Sequence, residues 1–351
     1  MSRLGHILLR LLARWETVLI VAIVGVGIWA TKSSPYFLTR SNLLDLVTPY
    51  VFIGLMAFGL TFVVIAAEID ISVISTLAVS IVCFARIFES GVNVWLAGLA
   101  GLGIATALGL GNGLLVGLLN LPSLAITLGT LAAYGGLAFV VLGGSEASSF
   151  PTNYIEIGGG YLWNGQLPVA LLVLLGFALV LGLLLHATRF GRYVFTIGSN
   201  REAARFSGIP VARVRVTVFA LSGFMAGVAG VIYVGNFGSA RADAGATSLL
   251  DVVTAVVLGG VDIFGGAGSM FGVLLALILV AELRNGMQLV NVAGQTQDIV
   301  IGVLLLGAIL AGNLIRAAQT NRALAGRLYR RRKEVVGHDQ VDSSVPKGLE
   351  T

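Results

Sequence analysis

VALLVLLGFALVLGLLL (169–185) decides the fold class, and HATRFGRYVFTIGSNREAARFSGIPVARVR (186–215), which follows it directly, poses the functional question. The first stretch carries no charge and approaches the roughly 20 apolar residues that cross a hydrocarbon core. A second charge-free run lies at 300–311. Across the chain 57% of residues are hydrophobic and 11% charged, against about 25% charged in an ordinary soluble domain. These features predict an all-α integral membrane protein. Hydropathy places about ten transmembrane helices, at 17–31, 44–67, 71–88, 94–119, 122–142, 167–187, 215–236, 249–264, 269–288 and 296–315. The eighth and ninth meet at GGAG (265–268), which also suits a broken or re-entrant element.

The second stretch holds Arg189, Arg192, Arg201, Arg205, Arg213 and Arg215. Within it Ser199 is placed to cap a short helix, Glu202 completes a capping box, and Gly208 and Pro210 end the helix. With ten spans, this loop, the N-terminus (Arg3, Arg10, Arg14) and the C-terminal tail share one side and hold most of the 22 basic residues. The positive-inside rule then puts both termini in the cytoplasm. The resulting organisation is a basic N-terminus (1–16), a membrane domain (17–315) with a cytoplasmic loop at 188–214, and a basic tail (316–351) expected to be disordered. On the opposite side 143–166, rich in Gly, Ser, Asn and aromatics, suits a lid or docking surface.

Several function classes are disfavoured. The single cysteine, Cys83, allows no internal disulfide, and His6, His186 and His338 are far apart, with no HExxH or CxxC pattern to suggest a metal. GGVDIFGGAG (259–268) lacks the lysine and hydroxyl of a phosphate loop, so no nucleotide site is expected in this chain. The tail's RLYRRRK (327–333) reads as an anchor to anionic lipid rather than a nucleic-acid patch. The first span reads as a retained anchor, since no small-x-small cleavage site ends it. The 47 glycines include Gly109, Gly113 and Gly117, and Gly223 and Gly227, at four-residue intervals that mark helix packing faces.

Ionisable groups at membrane depth cost roughly 2.5–3.5 kcal/mol each on insertion scales, so each needs a reason. Glu68 and Asp70 sit between the second and third spans, either lining a solute path or forming a tight turn with Asp70 as a cap. Asp251 suits a cap of the eighth span, and Asp262, among glycines, suits an opening. Asn112, Asn120, Thr127, Thr130 and Tyr134 fall on and around the fourth and fifth spans. The last three share a helix face. They suit either a path for hydroxyl-rich uncharged ligands or interhelical hydrogen bonding.

Three segments in order carry a resemblance: AEIDISV (67–73), GNGLLVGLLNLPSLAITLGT (111–130) and LLDVVTAVVLGGVDIFGGAGSMFG (249–272). They resemble the permease subunits of the carbohydrate-uptake branch of bacterial ATP-binding cassette importers, which take up ribose, xylose, rhamnose or autoinducer-2. The resemblance implies an inner-membrane, non-enzymatic subunit that binds no cofactor. Its implied partners are a second permease subunit, a cytoplasmic ATPase using ATP and Mg, and a periplasmic sugar-binding protein. It also implies that 190–209 is the coupling loop: Gly191 and Arg192 enter it, Asn200, Glu202, Ala203, Ala204 and Phe206 form the docking helix, and Gly208 ends it. Glu68 departs from the family's glycine there and tilts the expected solute toward a deoxyhexose such as rhamnose. The competing class is a self-sufficient secondary transporter or channel, in which Glu68, Asp70 and Asp262 would couple ions.

Overall fold

The computed structural model describes residues 15–313, apart from 144, 145, 148, 149 and 164. The basic residues Arg3, Arg10 and Arg14 and the tail lie outside the described residues. The helices are α1 (Trp15–Ser33), α2 (Arg40–Ile65), α3 (Val73–Glu89), α4 (Val94–Gly117), α5 (Ser123–Leu142) and α6 (Thr152–Gly159). There follow α7 (Val169–Ala187), α8 (Arg189–Ser199), α9 (Arg201–Phe206), α10 (Val211–Phe237), α11 (Leu249–Leu258), α12 (Met270–Leu289) and α13 (Gly294–Asn313). A two-residue antiparallel pair, β1 (Tyr161–Leu162) with β2 (Leu167–Pro168), precedes α7. The chain divides into two compact units, 1–305 and 306–351. Of the second, only residues 306–313 are described, and they are helical.

Eight of these helices are long and apolar enough to cross a membrane. The other two expected spans are shorter. Helix α3 has 17 residues, about 25 Å at 1.5 Å per residue, and is enclosed by α4, α5 and α10. Helix α11 has 10 residues, so the span expected at 249–264 is corrected to a half-helix followed by irregular chain. Gly260, Gly265 and Gly266 there adopt φ of +84°, +86° and +78°, values that disfavour any residue with a Cβ.

A helix that ends inside a bundle exposes carbonyls that lipid cannot satisfy. All four terminal carbonyls of α11 are satisfied by the protein. Gly259, Gly260 and Val261 donate their backbone N–H to Ala255, Val257 and Val256, and the Trp15 indole donates to Leu258 at 2.7 Å.

The scaffold around α11 rests on close helix contact. Helices α4 and α10 pack most extensively, and their glycine stripes face each other. A Cβ on Gly109 would lie 2.5 Å from the Phe219 carbonyl oxygen, and one on Gly223 would lie 2.5 Å from that of Ala105. Gly113 and Gly117 abut Val216 and Ala212 in the same way. Within the 143–166 segment, α6 packs against α10 of this scaffold. Tyr154 of α6 is buried and donates its hydroxyl to the Val231 carbonyl at 2.8 Å.

These contacts predict a matched pair of outcomes. Gly109→Ala forces backbone apart and should cost about 1–3 kcal/mol, seen as a lower Tm in detergent. Gly103→Ala on the same helix has nothing within 4 Å of its Cβ and should leave Tm unchanged or slightly higher, since alanine favours helix by about 1 kcal/mol.

Candidate functional site: a buried polar node beneath two short helices

The stretch between α7 and α10 is two helices, not a loop with one. Thr188 starts α8 by accepting from the Gly191 N–H at 3.3 Å. Gly191, Val194 and Ile197 form its buried face. Gly191 packs against the Leu185 carbonyl with no room for a Cβ. Arg192 lies on the exposed side.

The expected Ser199 cap is corrected by one residue. Ser199 is the last residue of α8, whereas Asn200 is extended (φ −161°, ψ 106°) and its side chain accepts from the Ala203 N–H at 2.9 Å. Glu202 is exposed and makes no return bond, so the box is not closed. Ala204 is fully buried while Phe206 is 90% exposed. The outward surface of α9 is therefore carried by Arg201, Glu202, Ala203, Arg205 and Phe206, without Ala204. Gly208, at φ +77°, ends the helix as expected.

Beneath α9 lies the link between α2 and α3. Its backbone turns at Ala67, φ +59°, which brings the Glu68 carboxylate inward, where it is 3% exposed. Glu68 Oε1 accepts from Arg201 of α9 and, at 2.6 Å, from Nε of Arg215 of α10. Arg215 is buried too, and its Nη1 donates to Asn120 Oδ1 at 2.8 Å. Glu68 thus joins the start of α9, the start of α10 and the α4–α5 link.

Two residues on, Asp70 anchors a second network. Its Oδ1 accepts from the Ser72 backbone N–H and hydroxyl at 3.0 and 2.6 Å, and its Oδ2 accepts from Ser222 of α10 at 2.8 Å. Asn112 donates to the Ser72 hydroxyl at 2.9 Å and accepts from the Tyr134 hydroxyl at 3.2 Å. Thr127 donates to the Ile69 and Ser123 carbonyls, and Ser123 accepts from the Ile69 N–H at 3.1 Å. Thr130 bonds within its own helix, to Ile126. Asp70, Ser72, Asn112, Thr127 and Ser222 are all buried. The Asp70 carboxylate precedes Ser72, the residue at the α3 N-cap position, and serves it through this turn.

The glycine segment closes the node. The Gly266 N–H donates to the Ile65 carbonyl at 2.8 Å, and Gly198 of α8 lies against both groups with no room for a Cβ. Asp262 accepts from the Phe264 N–H at 2.8 Å and stabilises this turn. Asp251 lies elsewhere, on α11 toward the other end of the bundle, with Arg284 of α12 donating to it at 2.7 Å. The structure therefore gathers Glu68 and Asn120 beneath α9, joins Asp70, Asn112, Thr127 and Tyr134 in the adjacent network, and separates Asp251 from both.

Arg215 and Arg284 were not among the expected site residues. Both sit within or at the edge of an apolar helix, and a cation there is itself a signal. Among the described residues, no group of three His, Cys, Asp or Glu side chains could hold a metal.

Residues 42–309 match the family described as "Branched-chain amino acid transport system / permease component". The chain belongs to this permease family. It is 35% identical to the autoinducer 2 import system permease LsrD of Yersinia enterocolitica, over 92% of this chain and 97% of that protein. It is 38% identical to the ribose import permease RbsC of Bacillus subtilis, over 79% of this chain and 86% of that protein. No solved structure matches. The chain is a transport subunit, a multi-pass protein of the bacterial inner membrane.

The two arginines on Glu68 should differ in weight. Arg201 is 42% exposed at its side chain, Arg215 only 4%. Arg215→Ala leaves a buried carboxylate short of a partner and should cost about 3–5 kcal/mol. Arg201→Ala should cost about 1 kcal/mol or less. Equal losses of Tm would show that the buried pair does not carry the node.

Proposed function

We propose that this chain is the permease of an ATP-driven, binding-protein-dependent importer of a monosaccharide-like solute, and that the segment 189–208 receives the stroke of a separate ATPase. The observation that carries the reading is Phe206, an aromatic side chain left 90% exposed on a helix whose other end is tied to the buried Glu68. A large apolar side chain beside Arg205 and Ala203 suits a groove on a protein partner. Movement of that helix would pull on Glu68, hence on the α2–α3 link and the Asp70 network. Alternating access then needs no chemistry in this chain, and ATP and Mg act in the partner ATPase. Both termini face the cytoplasm in this reading, and a second permease copy or homologue completes the path.

The identity of the solute is best supported as a neutral, polyhydroxylated molecule, by the uptake named for the ribose and autoinducer-2 relatives. Glu68 gives no preference for rhamnose, because its carboxylate is occupied by Arg201 and Arg215. The same occupancy speaks against a self-sufficient carrier in which Glu68 couples ions.

Reconstitution tests the docking. Phe206→Asp and Ala203→Arg should leave the fold intact, since both positions are exposed, yet lower ATP-driven uptake by about tenfold or more, as expected for loss of an aromatic hot spot. Full uptake in both variants would refute docking at α9. Uptake by the chain alone, driven by a proton or sodium gradient, would establish the carrier instead.

A further inference from the structure

At the end of the bundle opposite α9, a cavity of about 230 Å³ opens among α2, α11, α12 and the start of α13. Helix α10 defines the distance: Arg215 near its start belongs to the Glu68 node, and Phe237 at its end lines this cavity. Two aspartates and an arginine form one wall. Arg284 donates from Nε and Nη2 to Asp251 Oδ1 at 3.0 and 2.7 Å, and from Nη2 to Asp298 Oδ1 at 2.8 Å. Gln288 continues this polar wall one turn along α12. Tyr50, Phe52 and Phe237 line the cavity as well, and the two phenylalanines meet edge to face at 6.2 Å.

Three charged groups lining one cavity inside an apolar protein require a reason beyond packing. Their arrangement excludes some ligands. Arg284 is held by both carboxylates, which leaves it little attraction for an anion. The carboxylates in turn are engaged by Arg284, which weakens their hold on a cation. What remains is a set of fixed hydrogen-bonding groups in one cavity with aromatic side chains. A sugar ring has the matching two sides, hydroxyl edges and a C–H face. Arg284 contacts only Oδ1 of each aspartate, so Oδ2 of each can accept a hydroxyl.

We propose that this cavity is the entry site of the permease, where a neutral polyhydroxylated ring is held by the Asp251–Arg284–Asp298 wall and the Phe52–Phe237 pair. The proposal rests on the importer reading above and adds where the solute is held and by which groups. Asp251, Arg284, Gln288 and Asp298 then set solute preference, far from the residues that take up ATPase motion.

The test uses the full assembly of permease, ATPase and binding protein in proteoliposomes, with D-ribose and autoinducer-2 as probes. Gln288→Ala should shift the ratio of their uptake rates by roughly 3- to 10-fold, the effect of one hydrogen-bond partner. Thr247→Trp, which fills the cavity from an exposed position, should lower uptake of both by about tenfold while ATPase stimulation by the loaded binding protein persists, and Gln288→Trp should lower uptake of both likewise. Wild-type uptake and an unchanged ratio in these variants would overturn the proposal. A second readout does not depend on turnover. Cys83 is the sole cysteine, so in a Cys83→Ser background Gln288→Cys reports the cavity alone. A membrane-impermeant maleimide should label it, more slowly when either solute is saturating. Labelling that is indifferent to both solutes sinks the cavity as a solute site, whatever the tryptophan variants do. If the wild-type assembly takes up neither solute with ATP present, the importer reading itself falls, and the labelling still decides the cavity.

Discussion

A carboxylate placed inside a membrane bundle must be given hydrogen-bond donors, and Glu68 is given two arginines. Desolvating such a group costs several kcal/mol even after relaxation, so its partners cannot be loosely placed. Arg215 is held at the start of α10 and braced by Asn120. Arg201 is the first residue of α9 and half emerges from the protein. One buried oxygen atom therefore fixes the position of a surface helix. The neighbouring Asp70 network extends the same constraint inward, because both acids lie on a link of only seven residues between α2 and α3.

Around this node the molecule combines rigid and irregular parts. The glycine-lined contact of α4 with α10 allows backbones to approach until no Cβ fits, a packing that does not deform continuously. The glycine segment 259–269 is the opposite case, a chain without helix that touches Ile65 and the end of α8. It runs from the half-helix α11, whose Asp251 lines the far cavity, to the end of α8. The two ends of the proposed pathway are thereby connected through one short stretch of backbone and one rigid helix.

Much of this was legible from residue patterns. Charge-free runs located the long helices, because lipid imposes a length and a composition. The four-residue glycine spacing marked packing faces on α4 and α10, and the structure sets those two faces together. Asp70, Asn112 and Tyr134 stood out as polar groups in apolar surroundings. Other features were hidden for physical reasons. Whether Asn200 or Ser199 caps α9 depends on which residue is extended, and both side chains suit the role. Helix α8 was obscured because its apolar residues, Phe190, Tyr193, Val194, Phe195 and Ile197, are too few for a span and are interleaved with Arg189 and Arg192. The pairing of Glu68 with Arg215 spans 147 positions, beyond any local rule. Arg215 itself resembled a topology signal, since the same cation serves both purposes.

The Trp15 indole also bears on how the molecule is made. It meets the Leu258 carbonyl across 243 positions, and Asn42 meets Asn285 across the same separation. The first helices are thus completed by some of the last. During synthesis at about 5–20 residues per second, α1 must wait in lipid for roughly 10–50 seconds before its partners emerge. It is suited to the wait, with most of its surface apolar and lipid-facing. The end of α11 has no such tolerance, because its Leu258 carbonyl is satisfied only once α1 returns. Assembly therefore has a direction: the end of α11 is closed against a helix made long before it, and the half-helix becomes stable only at that step.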